Sequence, residues 1–193
     1  MTPSIRIEGR AYPLPLRNVD TDLIIPAAHL KTIRRSGLGR HAFETLRQDA
    51  SNVFDSPHFK GAPILIALDN FGCGSSREHA AWALLDLGVR AIIAPSFSDI
   101  FSGNAFKNGI VTVALDENAV ETLLLDAAEH EILVDLERLE VSSSAGHCFA
   151  FAMDEESNHV YSGASSTVRN GGKIRDRCNL LSGRVRAYSH RLA

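Results

Sequence analysis

The sequence predicts an α/β domain organised around a largely parallel sheet. Three observations predict it: short continuous apolar runs recur through the centre of the chain, helix-patterned segments alternate with them, and turn formers punctuate the joins. A strand that is apolar without a break is buried on both faces, as strands of a covered parallel sheet are. Alternation of strand and helix is the pattern of the crossovers that parallel pairing requires.

The elements follow in order. SIRIEG (residues 4–9) alternates and reads as a short opening strand. YPLPLRNVDTDLIIPAAHL (12–30) holds three prolines and several turn formers, so it reads mainly as loop, with a brief strand at 23–25. RHAFETLRQ (40–48) reads as a short helix and SNVFDSPHFKG (51–61) as a polar connection. APILIAL (62–68) is a buried strand. SSREHAAWALLDLG (75–88) is a helix whose stop is Gly88, since glycine accepts the left-handed backbone that ends a helix. VRAIIAP (89–95) is a second buried strand, SFSDIFSGNAFKNG (96–109) a helix then a turn, and IVTVAL (110–115) a third strand. DENAVETLLLDAAEH (116–130) is a helix opened by Asp116 or Glu117, and EILVDL (131–136) and GHCFAFAM (146–153) read as further strands.

Composition bounds the function. Apolar residues make up 45% of the 193, enough for a packed core. A net charge of −3 gives no overall attraction to nucleic acid or an anionic membrane. No apolar run approaches the roughly 20 residues that span a bilayer. The opening MTPSIRIEGRAY lacks a basic segment followed by an apolar one, so a cytoplasmic chain is expected. Cys73, Cys148 and Cys178 are odd in number and far apart, which is neither a disulfide framework nor a zinc or self-contained iron–sulfur motif. His29, His41, His58, His79, His130, His147, His159 and His190 show no ligand spacing, so no metal is assigned to this chain.

Charge divides the final third. Residues 116–156 carry twelve acids against one base, Arg138, while 157–193 carry seven bases against one acid, Asp176. The organisation expected is a domain over 1–156 and an atypical basic tail over 157–193. The tail reads as a solvated segment beside the acidic one. A nucleic-acid arm would want aromatic residues among its bases, and this tail does not interleave them.

The densest chemistry lies in DNFGCGSSREHAAWALL (69–85). A dinucleotide site needs G-x-G-x-x-G; here Gly72 and Gly74 are followed by Arg77 where the third glycine belongs, and the next strand ends without an acid. A serine elbow needs G-x-S-x-G, which neither Ser75 nor Ser76 satisfies. Cys73 before a helix start could be a nucleophile if a histidine were placed beside it, and the sequence leaves that open. Ser75 and Glu78 have capping-box spacing, which alone explains both as structure. Arg77 and the paired glycines call for something more. Glycines admit close backbone approach, a helix N-terminus attracts anions, and an arginine fork grips a carboxylate through two bonds. Together they describe a site for an acidic ligand with serine hydroxyls inside it.

These residues also resemble a known family. NFGCGSSREHA (70–80) is similar to the signature of the isopropylmalate dehydratase small subunits, which share the G-S-S-R-E core with the C-terminal domain of aconitase. RNVDTDLIIPAAHL (17–30), RSGLGRHAFETLR (35–47) and APSFSDIFSGNAFKNGIV (94–111) resemble further family blocks in the same order, over about residues 5–115. The resemblance implies a single swivelling β/β/α domain. It implies a large-subunit partner bearing a [4Fe-4S] cluster, a small dicarboxylate substrate between the two chains, and no cofactor held by this chain. It implies removal of water from 2-isopropylmalate and its return at the neighbouring carbon, in leucine biosynthesis. Ser75 would be the base at carbon, Ser76 and Arg77 would hold substrate, and Asp22, Gly72, Gly74 and Glu78 would support them. One further arginine would bind carboxylate: Arg34 by spacing from Asp22, or Arg35 by the R-S-G-L-G pattern, which is preferred. Cys73 then becomes a packing residue. The tail departs from the family, keeping only an echo of its terminal helix in CNLLSGRVRAYSHRLA (178–193). The runner-up readings are a sister hydro-lyase subunit (citraconate, dimethylmaleate or homoaconitate), a non-catalytic carboxylate-binding module and, through the tail, an RNA-binding module.

Overall fold

A computed structural model describes residues 6–30 and 36–153. Arg34, Arg35, Cys178 and the tail over 157–193 lie outside the described residues. Strands β1 (Arg6–Gly9) and β2 (Ala11–Leu14) come first, followed by a single helical turn, α1 (Thr21–Ile24). Then come β3 (Ile64–Ala67), α2 (His79–Leu87), β4 (Ala91–Ala94), α3 (Asp99–Lys107), β5 (Val111–Ala114) and α4 (Glu117–Asp126). Strands β6 (Ile132–Asp135), β7 (Glu140–Ser143) and β8 (Cys148–Ala150) close the described chain.

β2, β3, β4 and β5 lie side by side in that order, all parallel. Successive side chains of a strand face opposite ways, so each central strand feeds two cores. Leu65, Ala67, Ile92 and Ala94 face a core built with Ile24, Ala80, Ala81, Ala83, Leu84, Phe101 and Ala105 of α1, α2 and α3. Ile64, Ile66, Ala91 and Ile93 face a second core with Val120 and Leu123 of α4 and with Ile7, Ile132, Val134 and Val141. Those last four belong to a separate antiparallel sheet, ordered β1-β6-β7-β8. α2 and α3 thus cover one face of the parallel sheet, and α4 with the antiparallel sheet covers the other.

Several local expectations are corrected. Residues 23–25 are not a strand: Asp20 accepts from the Leu23 N–H at 2.7 Å and caps α1, which sends Ile24 and Ile25 into the core. AYPL (Ala11–Leu14) does form a strand, because β2 is the sheet edge and there Pro13 loses no ladder bond. Residues 40–48 form two 3₁₀ turns, Gly39–His41 and Leu46–Gln48, split by Phe43 at φ +57°. The segments at 131–136 and 146–153 do not extend the parallel sheet. The turn between β6 and β7 is too short for a parallel crossover, so they pair antiparallel, through the unexpected β7.

α2 ends as the sequence predicts. Gly88 has φ +112°, its N–H donates to Leu85 O at 3.1 Å, and Val89 N–H donates to Leu84 O at 2.9 Å. That pair of bonds is a Schellman cap. Its start differs: α2 begins at His79, not at Ser75.

Candidate functional site

The glycine-rich turn sits just beyond the carboxyl end of β3, where open α/β sheets bind ligands. It is laced to the loops that follow the two neighbouring strands. On the β2 side, Asn18 N–H donates to Asp69 O (3.0 Å), Gly72 N–H to Val19 O (2.7 Å) and Thr21 N–H to Cys73 O (3.0 Å). On the β4 side, Phe71 N–H donates to Ser96 O (3.0 Å) and Ser98 N–H to Phe71 O (3.0 Å). The parallel pairing thus continues past the strands, as the isolated bridges Asp20–Cys73 and Phe71–Phe97 record. The turn is held on both flanks before its functional residues begin.

Gly72 and Gly74 have φ of +75° and +92°, a region β-carbon residues avoid. Their surroundings differ. A Cβ on Gly72 would lie 2.2 Å from Cγ of Phe101, so α3 packs directly on that backbone. A Cβ on Gly74 would come no nearer than 3.6 Å, to Asp20 Cβ. Gly72 is therefore needed for packing as well as conformation, and Gly74 for conformation alone.

Ser75 and Ser76 are exposed. The capping box expected between Ser75 and Glu78 does not form. Glu78 is itself the N-cap, in helical conformation and without a capping bond, and its carboxylate accepts from Asn108 Nδ2 at 2.8 Å and Trp82 Nε1 at 3.3 Å. It anchors α2 to the end of α3. The Ser75 carbonyl accepts from Arg77 N–H (2.8 Å) and the Thr21 hydroxyl (3.3 Å). Thr21 itself is only 2% exposed, so a residue fixed in the core holds the Ser75 backbone through this partly buried contact. Asn104 of α3 donates to Ser76 O at 3.5 Å.

Arg77 Nη1 pairs with Asp22 Oδ1. The arginine side chain is 26% exposed and the aspartate 55%. An ion pair this wet is weakly held, so the guanidinium can be shared with an incoming carboxylate. Arg17 closes the same edge by pairing with Asp69 (2.6 Å) and Glu117; these pairs, the Glu117 bond first, raise its already high pKa. Asn70 donates to Asn18 Oδ1 at 2.6 Å.

The structure thus brings Ser75, Ser76, Arg77, Asp22, Gly72 and Gly74 together, and Glu78 bonds Asn108 and Trp82. Sequence reasoning missed Thr21, Asn104 and Asn108. Thr21 stood between two acids that drew attention as turn formers. Asn104 and Asn108 share the helix spacing that places residues on one face, and that spacing could have flagged them.

Comparison with known proteins finds relatives of this chain. The family model described as the aconitase C-terminal domain matches residues 1–118. A 3-isopropylmalate dehydratase small subunit of Novosphingobium aromaticivorans is 60% identical over 159 residues, 82% of this chain and 79% of that protein. The protein of the same name from Erythrobacter litoralis is 63% identical over 154 residues, 80% and 77% of the two chains. Among solved structures, 3-isopropylmalate dehydratase of Methanocaldococcus jannaschii superposes with a TM-score of 0.66 at 25% identity, covering 93% of this chain and 98% of the other.

Proposed function

This chain belongs to the aconitase C-terminal domain family and, within it, to the 3-isopropylmalate dehydratase small subunits, and from that membership we propose how its residues serve the reaction. It is one subunit of a hydro-lyase that isomerises 2-isopropylmalate to 3-isopropylmalate by removing water and returning it, in leucine biosynthesis. It is active only when joined to a large subunit. The observation that carries the residue-level reading is the exposed Ser75–Ser76 pair beside the Arg77–Asp22 ion pair, on a turn clamped from both sides.

Arg77 binds one carboxylate of the dicarboxylate substrate through its planar fork, with Asp22 orienting that fork. Ser76 positions the substrate, and Arg35, with Arg34 as the alternative, takes a further carboxylate. Ser75 removes the proton from carbon and later returns one. A serine hydroxyl is a weak base, so its alkoxide needs support. The Arg77 charge, and the N-terminus of α2 that no Glu78 side chain caps, are the local sources of it. Thr21 keeps Ser75 in register through its bond to the Ser75 carbonyl.

We assign the [4Fe-4S] cluster to the large subunit. A cluster needs about four converging thiolates. Among the described residues, Cys73 lies in the turn beyond β3 and Cys148 lies in β8 of the other sheet, so they make no such set.

The test is reconstitution. The full-length chain, mixed without oxygen with a cluster-bearing large subunit, should turn over 2-isopropylmalate with formation of the alkene's absorbance. It should favour that substrate over citraconate, dimethylmaleate and homoaconitate. Ser75→Ala should lower turnover at least about a hundred-fold, the scale of a lost acid–base group, while the complex still elutes as one species. Near-normal turnover in that variant would overturn the base assignment, and preference for another acid would overturn the substrate.

A further inference from the structure

Three residues outside that site converge although their spacing in the sequence is irregular. One potential ligand atom from each of His29, His41 and Glu44 lies within 4.8 Å of the other two. His29 Nε2 hydrogen-bonds Glu44 Oε2, and His41 Nδ1 lies 3.6 Å from the same oxygen. The two imidazoles stack at 3.8 Å with an 18° tilt. An imidazole ligates metal through a nitrogen that carries no proton.

The backbone under this cluster is built rather than loose. His29 ends the 3₁₀ turn Ala27–His29 and His41 ends the turn Gly39–His41. A bond from Phe43 N–H to Ile24 O (2.9 Å) ties the two regions together. Phe43, next to Glu44, is fully buried, stacks on Phe54 at 4.2 Å, and has φ +57°. A bulky residue keeps that backbone only where its surroundings impose it, and such positions cluster at functional sites.

We propose that His29, His41 and Glu44 bind a divalent transition-metal ion of the zinc class through two imidazoles and one carboxylate. The donor set fits: histidine nitrogen with a carboxylate oxygen suits zinc, whereas magnesium and calcium take oxygen ligands. A metal must lie in the plane of each ligating imidazole, about 2.0–2.1 Å from its nitrogen, so loading requires the two rings, now stacked at 3.8 Å, to rotate out of their stack and converge. Arg40 Nε now donates to His41 Nε2 at 3.1 Å, which leaves the ring proton on Nδ1. Loading therefore displaces ring protons, or turns the exposed Arg40 side chain aside. Three protein ligands leave a coordination position for water.

The experiment uses the full-length chain, stripped with a chelator and titrated with zinc chloride and, separately, cobalt(II) and magnesium chlorides. Calorimetry should give one zinc per chain, cobalt should develop visible d–d absorption, and magnesium should not bind. His29→Gln, His41→Gln and Glu44→Gln should each weaken zinc at least about ten-fold, whereas His147→Gln, remote in the other sheet, should not. A readout free of substitutions guards against misfolded variants: the ring-nitrogen NMR signals of His29 and His41 should shift on zinc addition to the wild-type chain. Unshifted imidazoles, absent binding, or equal affinity in a folded triple variant would overturn the site.

Discussion

Gly72 and Gly74 look alike in the sequence and differ in what surrounds them. Gly72→Ala should destabilise the chain by about 3 kcal/mol, since it adds left-handed strain to a collision with Phe101. Gly74→Ala should cost about 1 kcal/mol, from strain alone. Urea denaturation midpoints measure both, and equal losses would contradict the packing role of Gly72. Asp22 separates stability from function at the same scale. Its pair with Arg77 is solvent-exposed, so Asp22→Asn should change stability by under about 0.5 kcal/mol. The same variant should raise KM in the reconstituted complex, because Arg77 loses its orienting partner. Ser75 and Arg77 were legible as a carboxylate-site pattern, and Asp22 entered only through the family resemblance. Their neighbours were not: the roles of Thr21 and Asn104 depend on which loops lie side by side.

At the scale of elements, the ends of the helices are where local sequence acts most directly. Asp116 accepts from Ala119 N–H at 2.9 Å, so Asp116→Ala should lower stability by about 1 kcal/mol. Gly88→Ala should cost a similar amount by straining the Schellman cap of α2. Thermal unfolding of the two variants checks both, and an unchanged midpoint would contradict the cap concerned. These helix ends, and the buried strands β3, β4 and β5, could be read because capping residues and continuous apolar runs act over a few residues. The start of α2 could not. Ser75-x-x-Glu78 fits a capping box, yet Asn108 and Trp82 draw Glu78 away, and both contacts depend on how α2 packs. Phe43 likewise breaks an apparent helix because its ring fills a place against Phe54.

Over the whole molecule, two cores share one parallel sheet, and Phe151 is the last buried residue of the described chain. We propose that the boundary near residue 156 separates a self-sufficient domain from the basic tail. A chain truncated after Glu156 should then unfold within a few degrees of the full-length one, about 1 kcal/mol or less. A large drop in the midpoint would make the tail part of the fold. No helix among the described residues is long and apolar enough to cross a membrane. The sequence by itself determined the α/β class, the central strands, the end of α2 at Gly88, the start of α4, and the family-bearing turn with its serines and arginine. Each rests on periodicity or on residue types a few positions apart. Tertiary structure alone decided that the last strands form a second, antiparallel sheet, that Pro13 sits on an edge, and that Glu78 bonds Asn108 and Trp82 instead of capping α2. It alone brought His29, His41 and Glu44 together. Partners distant along the chain, and the order of strands in a sheet, are set by how elements pack. A local pattern of residues carries no record of that packing.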